Sequence, residues 1–292
     1  MLFGEYLKLC RSTTGLTQEE LARKLYIFDD IFISIEANTI SRWERCIVSP
    51  TYKKQIKLIK FFQQYSAYII PCFENINNIS PEQTTYIIGK TKDIIQSLPI
   101  DVFSPKDIIL QKVTLNQDIQ KSLKMSFYIF EKLSHGYFHI TLKQFKEWSQ
   151  YPSSHFTIAT INHNFCGAFF IIKLKPDIYK KIIYLEAKLQ DLKYNDFASP
   201  EEEGCEFLLN FYAYHQSIAQ MLFADYYIHL IHNQLLIKEI GTTPTLKSVI
   251  SLLKKMNLKH ITSKRELKSY SSSLEDVLLN KNALKVIFKQ TI

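Results

Sequence analysis

The spacing of apolar residues divides the chain into two parts. Up to about residue 63, apolar positions recur every three or four residues, so that Phe3, Tyr6, Leu7 and Cys10 share one helical face. From Ile109 onward, alternating or continuously apolar runs such as "HFTIATI" and "FCGAFFIIKLK" are interspersed with helical segments. The pattern predicts an N-terminal all-α bundle followed by a C-terminal α+β domain.

Four short helices are predicted in the N-terminal part. The first covers residues 3–12, and "TQEE" at 17–20 is a capping box that begins the second. Residues 26–37 form an irregular apolar connection. Asn38 is predicted to cap a third helix, and Pro50 to begin a fourth.

The C-terminal part is predicted to alternate strands and helices. The order is β, α, α, β, β, β, α, β, α, β, with a hairpin at 155–161 and 165–175 and a closing strand at 283–290. Between the two parts, the segment 66–107 is predicted to be a helical connector and a proline-containing linker. The predicted domains are therefore 1–65 and 108–292, on either side of that connector.

Composition changes this picture little. The chain has 292 residues and a formal charge of +8. No signal peptide and no apolar run near the ~18 residues of a membrane span is evident, so a soluble, cytoplasmic protein without a membrane partner is expected. The cysteines contain no CxxC pair, and His229 and His232 lack a third ligand, so no metal site is predicted. His155 and His163 flank the hairpin and are expected to be solvent-exposed.

The segments "TGLTQEELARKL" and "NTISRWERC" resemble the Cro/phage-repressor (XRE) family of helix-turn-helix proteins. The resemblance covers roughly residues 4–63. Cys46 stands where that family usually has glycine, and the connection between the two motif helices is longer by roughly eight residues than the usual tight turn.

That resemblance implies a DNA-binding surface and a structural ion pair between Arg11 and Glu44. At the start of the second helix, Thr17 and Gln18 would meet a phosphate. Base edges would meet Asn38, Thr39 and Arg42, and further phosphates would meet Ser41, Arg45, Lys53 and Lys54. The implied partners are a double-stranded operator and a second copy of the chain in a homodimer.

The element order from 108 to 292 resembles the GNAT acyltransferase fold, which implies acetyl-CoA or another acyl-CoA as a ligand. The family's glycine-rich pyrophosphate loop aligns with "YHQSIA", that is Tyr214, His215, Gln216, Ser217, Ile218 and Ala219. Ser217 replaces the central glycine, and Leu253 stands where the family has a tyrosine acid. Glu206 and His215 are weak candidates for a catalytic role, each with an ordinary structural alternative.

These observations predict a sequence-specific transcriptional regulator whose degenerate GNAT-like domain acts as a sensor, as a dimerisation unit, or as both. An active acetyl-CoA-dependent N-acyltransferase fused to a DNA-binding module is the first alternative. An antitoxin-like partner protein is the second alternative.

Overall fold

The computed structural model describes residues 2–63, 108–113, 120–134, 137–245 and 247–288. The chain forms two compact units, one of Met1–Glu74 with Leu278–Ile292 and one of Asn75–Val277. The predicted connector at 66–107 lies outside the described residues.

The N-terminal unit contains helices α1 (Phe3–Thr13), α2 (Gln18–Phe28), α3 (Ala37–Glu44) and α4 (Tyr52–Gln63). The predicted capping box is present, because the Thr17 hydroxyl accepts from the Glu20 amide. Helices α1 and α3 approach closely at Gly4, where an added Cβ would lie 2.0 Å from the Trp43 carbonyl oxygen. The N-terminal region is therefore helical, as the apolar periodicity predicts.

The connection between α2 and α3 is folded onto the bundle. It contains a 3₁₀ turn at Asp30–Phe32, and the Phe32 side chain is fully buried. The Asp29 carboxylate accepts from the Ile31 amide and lies 2.5 Å from the Lys57 ammonium. The predicted cap of α3 is wrong by two residues, because Glu36 occupies the N-cap position in place of Asn38.

After α3 the chain turns through Cys46 in the left-handed region, with φ of 58°. Glycine adopts this conformation at no steric cost, whereas a residue with a Cβ is strained. The cysteine at a usual glycine position therefore does not change the backbone path that the turn requires.

The last described segment is helical. In place of the closing strand predicted at 283–290, the described residues form helix α11 (Lys281–Ile287), and the Asn280 side chain caps it by accepting from the amides of Asn282 and Ala283. Phe288, which follows, packs edge-on against Phe3 with ring centroids 5.1 Å apart. The C-terminal helix thus belongs to the same unit as α1.

The second unit contains a seven-stranded mixed sheet in the order β1-β2-β3-β4-β5-β7-β6. Its strands are β1 (Ile108–Lys112), β2 (His155–Ile161), β3 (Asn164–Leu174), β4 (Gly204–Ala213), β5 (Ile237–Thr242), β6 (Lys259–Lys264) and β7 (Leu267–Ser273). All neighbours are antiparallel except β4 and β5, which are parallel. The hairpin of β6 and β7 was absent from the predicted order.

Helices cover both faces of this sheet. They are α5 (Gln120–Leu133), α6 (Leu142–Ser149), α7 (Pro176–Ile183), α8 (Gln216–His232), α9 (Lys247–Lys255) and α10 (Leu274–Leu278). One layer, with α5, α6 and α7, forms an aromatic core around Phe145, Phe170 and Phe207. On the other face, α8 packs against β1 to β4.

A bulge in β4 changes which face its side chains meet. Leu208 pairs with Ile171 of β3, but the adjacent Phe170 pairs with Asn210, so one extra residue is inserted. Before the bulge, the Glu206 carboxylate meets α8. After it, the Asn210 amide donates to the Ser126 carbonyl and hydroxyl of α5, at 3.3 and 3.1 Å.

Candidate functional site

Pairing between the two parallel strands at the centre of the sheet stops part-way along β4, where β5 ends. Residues Gly204 to Phe207 of β4 pair with β5, whereas β4 pairs with β3 as far as Ala213. The hydroxyl of Thr242, the last residue of β5, donates to the Leu208 carbonyl, 2.9 Å away. Among the described residues, no strand pairs with the β5-facing edge of 209–213. We call this feature the fork.

Helix α8 begins directly beyond the open end of the fork. The Ser217 amide donates to His215 Nδ1 at 3.2 Å, so His215 acts as the N-cap of α8. The other first-turn amides of a helix have no partner within it, and together with the helix dipole they favour an anion. The fork therefore leads from an unpaired strand edge to a helix N-terminus.

The six residues of the predicted loop are placed differently from one another. Tyr214 is exposed, and Ile218 and Ala219 are fully buried. Ser217 is half-buried, and the Gln216 side chain lies outside the described part of the structure. Among the described side chains at the start of the helix, those of His215 and Ser217 are half-buried, and Ser217 is the smaller of the two.

A buried cluster of imidazoles and carboxylates lies between α8 and the sheet. The His229 Nε2 lies 2.6 Å from one Glu206 oxygen, and the Tyr226 hydroxyl donates to the other at 2.8 Å. A second pair joins His155 Nε2 to Asp225 at 2.9 Å. The two imidazole rings lie 4.2 Å apart, so the pairs form one unit, which we call the imidazole cluster.

Burial and pairing set the charges in this cluster. Burial, and secondarily the neighbouring His229, lowers the pKa of His155. For Glu206 and Asp225, burial acts to raise the pKa, but the adjoining imidazoles and hydroxyls outweigh it and lower the pKa of both carboxyls. Both carboxyls are therefore ionised acceptors, and the imidazoles donate to them.

The imidazole cluster borders a cavity of ≈ 380 Å³ that also contacts the segment from Ser149 to Phe156. At one side of this cavity the Lys173 ammonium donates to the carbonyls of Ser199 and Pro200, both at 3.2 Å, and to that of Glu202. The charged groups that border the cavity at Lys173, Glu206 and His229 are hydrogen-bonded, whereas the buried Ser154 hydroxyl, which also lines it, has no partner among the described residues.

The two weak catalytic candidates both make hydrogen bonds. Glu206 accepts on the α8 face and borders the cavity of ≈ 380 Å³, and His215 caps α8. Leu253 is buried on α9. The expected exposure of His155 is wrong, because its side chain is 4% exposed. The sequence reasoning also missed Asp225 and Asn210, which appear as isolated polar residues in apolar segments.

In the N-terminal unit, the Arg11 guanidinium meets Glu44 at 2.6 and 3.0 Å. Gln18 donates to the same carboxylate at 2.8 Å, so its side chain is engaged inside the bundle, and Thr17 caps α2. The remaining residues predicted to meet DNA are exposed or half-buried on α3 and α4, namely Asn38, Thr39, Ser41, Arg42, Arg45, Lys53 and Lys54. The Lys54 ammonium lies over the Trp43 ring.

Within the described ranges, no group of three or more His, Cys, Asp and Glu side chains is placed to hold a metal ion. None of the helices in those ranges is long and apolar enough to cross a membrane.

The chain matches no model of a known protein family, and no curated protein matches its sequence. Solved structures do resemble it. FeeM, an N-acyl amino acid synthase from uncultured soil microbes, is 12% identical over 57% of this chain and 91% of its own, with a TM-score of 0.41. A GNAT-family acetyltransferase from Staphylococcus aureus is 14% identical over 57% and 99%, with a TM-score of 0.37. An aminoglycoside N(6')-acetyltransferase from Legionella pneumophila is 11% identical over 59% and 94%, with a TM-score of 0.34.

These findings overturn the prediction of a DNA-binding regulator with a degenerate sensor domain, because the similar structures are acyl- and acetyltransferases. They support neither an XRE domain, nor operator DNA, nor a homodimer. The error has a physical source: a buried Trp43 and an Arg11–Glu44 pair hold a helical bundle together whatever its exposed face meets.

Proposed function

We propose that this protein transfers an acyl group from an acyl-thioester, such as acetyl-CoA, to an amine. The observation that carries the proposal is the fork, where the pairing of β4 with β5 ends at Phe207 and β4 runs on to the start of α8. Within the described residues, this arrangement offers an unpaired strand edge that is followed along the chain by a helix N-terminus.

An acyl-CoA suits both halves of the fork. The pantetheine arm is extended and carries two amides, so it can pair with a strand edge as an added strand does. The pyrophosphate is an anion, and the α8 N-terminus favours one there. The bound molecule supplies the activated acyl carbon. The chain contributes the β4 edge, the first-turn amides of α8 and the Ser217 hydroxyl.

In the transfer, the amine nitrogen bonds to the acyl carbon, and negative charge develops on the carbonyl oxygen. The carbon–sulfur bond then breaks, and the sulfur leaves with the bonding electron pair. The proton that the nitrogen gives up ends on the sulfur, so the products are an amide and a thiol. A backbone amide on the unpaired β4 edge is suited to donate to that oxygen, because it is already oriented.

The substitution Ser217→Asp tests the proposed thioester site. An added carboxylate at the α8 N-terminus repels the pyrophosphate, and we expect acetyl-CoA to bind about tenfold more weakly by calorimetry. The same carboxylate interacts favourably with the helix dipole, so the melting temperature should stay the same or rise slightly. Loss of affinity without loss of stability separates repulsion from unfolding.

Asn195→Asp is the matched control, because it adds the same charge at the exposed 3₁₀ turn Tyr194–Asp196. That turn lies near the end of β3 that pairs with the start of β4. The control should bind acetyl-CoA as the parent does. A thiol-release assay with acetyl- and longer acyl-CoAs and a panel of amines completes the test. Absence of both binding and release for all of these thioesters would reject the proposed function.

A further inference from the structure

A second, larger cavity of ≈ 690 Å³ lies in the same unit. The apolar part of its lining includes Phe138, Ile182, Leu189 and Leu267. It is bounded by the segments 137–139, 182–190 and 264–267, and Thr243 also lines it. We call it the basic pocket, for the charges at its rim.

The rim of the basic pocket carries more positive than negative charge. Lys188, Lys264 and Arg265 line it, and all three are exposed. The Lys264 ammonium donates to the Leu185 carbonyl at 3.1 Å, which holds it at the rim and leaves two of its three N–H groups for other acceptors.

The acidic side chain at this rim is already engaged. Glu266 is the one carboxylate among the described lining residues, and it accepts a hydrogen bond from the Tyr137 hydroxyl. That bond also joins the segment before α6 to the turn between β6 and β7. The three cations and this one carboxylate leave the described rim with a net formal charge of +2.

The basic pocket adjoins the fork along the chain. Thr243, one of its lining residues, directly follows Thr242, whose hydroxyl donates to the Leu208 carbonyl where the pairing of β4 with β5 ends. An acceptor held in the basic pocket would therefore approach the fork from the end of β5. The apolar wall would bury a hydrocarbon body, and the rim would meet a group at its outer end.

We infer that the acceptor of the proposed acyl transfer is an amine that carries an apolar body and an anionic group, and that Lys188, Lys264 and Arg265 bind the anionic group in the basic pocket. This inference rests on the proposed function, because it identifies the acceptor for that reaction. Arginine and lysine match a carboxylate through charge-assisted hydrogen bonds, and arginine can do so with two parallel bonds.

Direct binding tests the inference without requiring turnover. The probes are N-acetylphenylalanine and N-acetylphenylalaninamide, which resemble products of the transfer and differ in one negative charge. Calorimetry with the full chain should give at least about fivefold tighter binding of the carboxylate. The double substitution Lys188→Glu with Arg265→Glu should remove that preference.

Lys254→Glu is the matched control, because this exposed lysine lies on α9 and does not line the basic pocket. It should keep the preference for the carboxylate. Equal binding of the two probes, or no saturable binding of either, overturns the inference. A retained preference in the double variant does so as well.

The binding experiment also separates the inference from the proposed function. If the carboxylate preference depends on the rim but no acyl-CoA binds or reacts, the proposed function fails and the pocket remains an anion site. If thiol release occurs only with neutral amines, the transfer stands and the acceptor class is wrong.

Discussion

Substituting Glu206 tests whether the imidazole cluster holds the sheet to α8. Glu206 is 1% exposed and accepts from His229 at 2.6 Å and from Tyr226 at 2.8 Å. In Glu206→Gln, the amide oxygen can still accept from His229, and the Tyr226 hydroxyl can rotate to accept from the amide nitrogen. Both bonds survive without charge assistance, which lowers the free energy of unfolding by about 1–2 kcal/mol.

Glu206→Leu has a similar volume but no acceptor. It leaves the His229 N–H and the Tyr226 O–H buried without partners, and each costs about 1–3 kcal/mol. The expected loss is therefore about 2–6 kcal/mol, which is a large share of the ~5–15 kcal/mol that holds a typical domain folded. We therefore expect the free energy of unfolding to fall from the parent to the Gln variant and further to the Leu variant. This order distinguishes a buried acceptor from a surface carboxylate.

The chain offers a selective probe for this measurement. It has two tryptophans, Trp43 in the N-terminal unit and Trp148 in the unit that contains Glu206. In a Trp43→Phe background, urea unfolding followed by fluorescence reports on Trp148 alone. Equal losses in the free energy of unfolding for the Gln and Leu variants would refute the reasoning. A Gln variant that keeps its stability but loses thiol release at least about a hundredfold would instead make Glu206 a proton-transfer group.

Two further changes test the buried charges. The pKa of His155 is lowered by burial, so the unfolded chain takes up this proton near pH ~6.5 and the folded chain only at lower pH; stability should therefore fall as the pH drops below ~6.5. His155→Gln keeps a donor for Asp225 and should make the urea unfolding midpoint depend less on pH between pH 5 and 7. If the midpoint of this variant varies with pH as the parent's does, the proton belongs to another group. In the N-terminal unit, Glu44→Ala leaves Arg11 without its partner and should cost about 3 kcal/mol by Trp43 fluorescence. Glu19→Ala, which removes an exposed pair, should cause no measurable change, and equal effects of the two would contradict the assignment.

Periodic apolar spacing was sufficient to predict the helices of the bundle and most of the sheet, because burial of one face sets the period wherever an element is long. It failed at 283–290, where Val286, Ile287 and Phe288 suggest a strand. There the Asn280 cap and packing of Phe288 on Phe3 outweigh strand propensity. The hairpin of β6 and β7 was missed for the opposite reason, since β6 is mostly exposed and carries little apolar signal.

The loop before α8 could be predicted from the sequence, but the fork beside it could not. Element order located the loop before α8, but the absence of glycine at Ser217 suggested a degenerate site. The fork depends on where pairing between β4 and β5 stops. The spacing of apolar residues along the sequence does not show which residues of two strands pair. The imidazole cluster was hidden for a similar reason, because its members come from β2, β4 and α8 and lie far apart in sequence.

The packing of α11 on α1 has a consequence for synthesis on the ribosome. The faces of Phe3 and Tyr6 that receive Phe288 emerge first, and Phe288 emerges only after the whole segment Asn75–Val277 has been made. At about 5–20 residues per second, that delay is roughly 10–40 s. During this interval the nascent bundle displays an uncovered aromatic surface, which is what general chaperones bind. Helix α1, which is made before the segment Asn75–Val277, thus gains this packing only after that segment has been made.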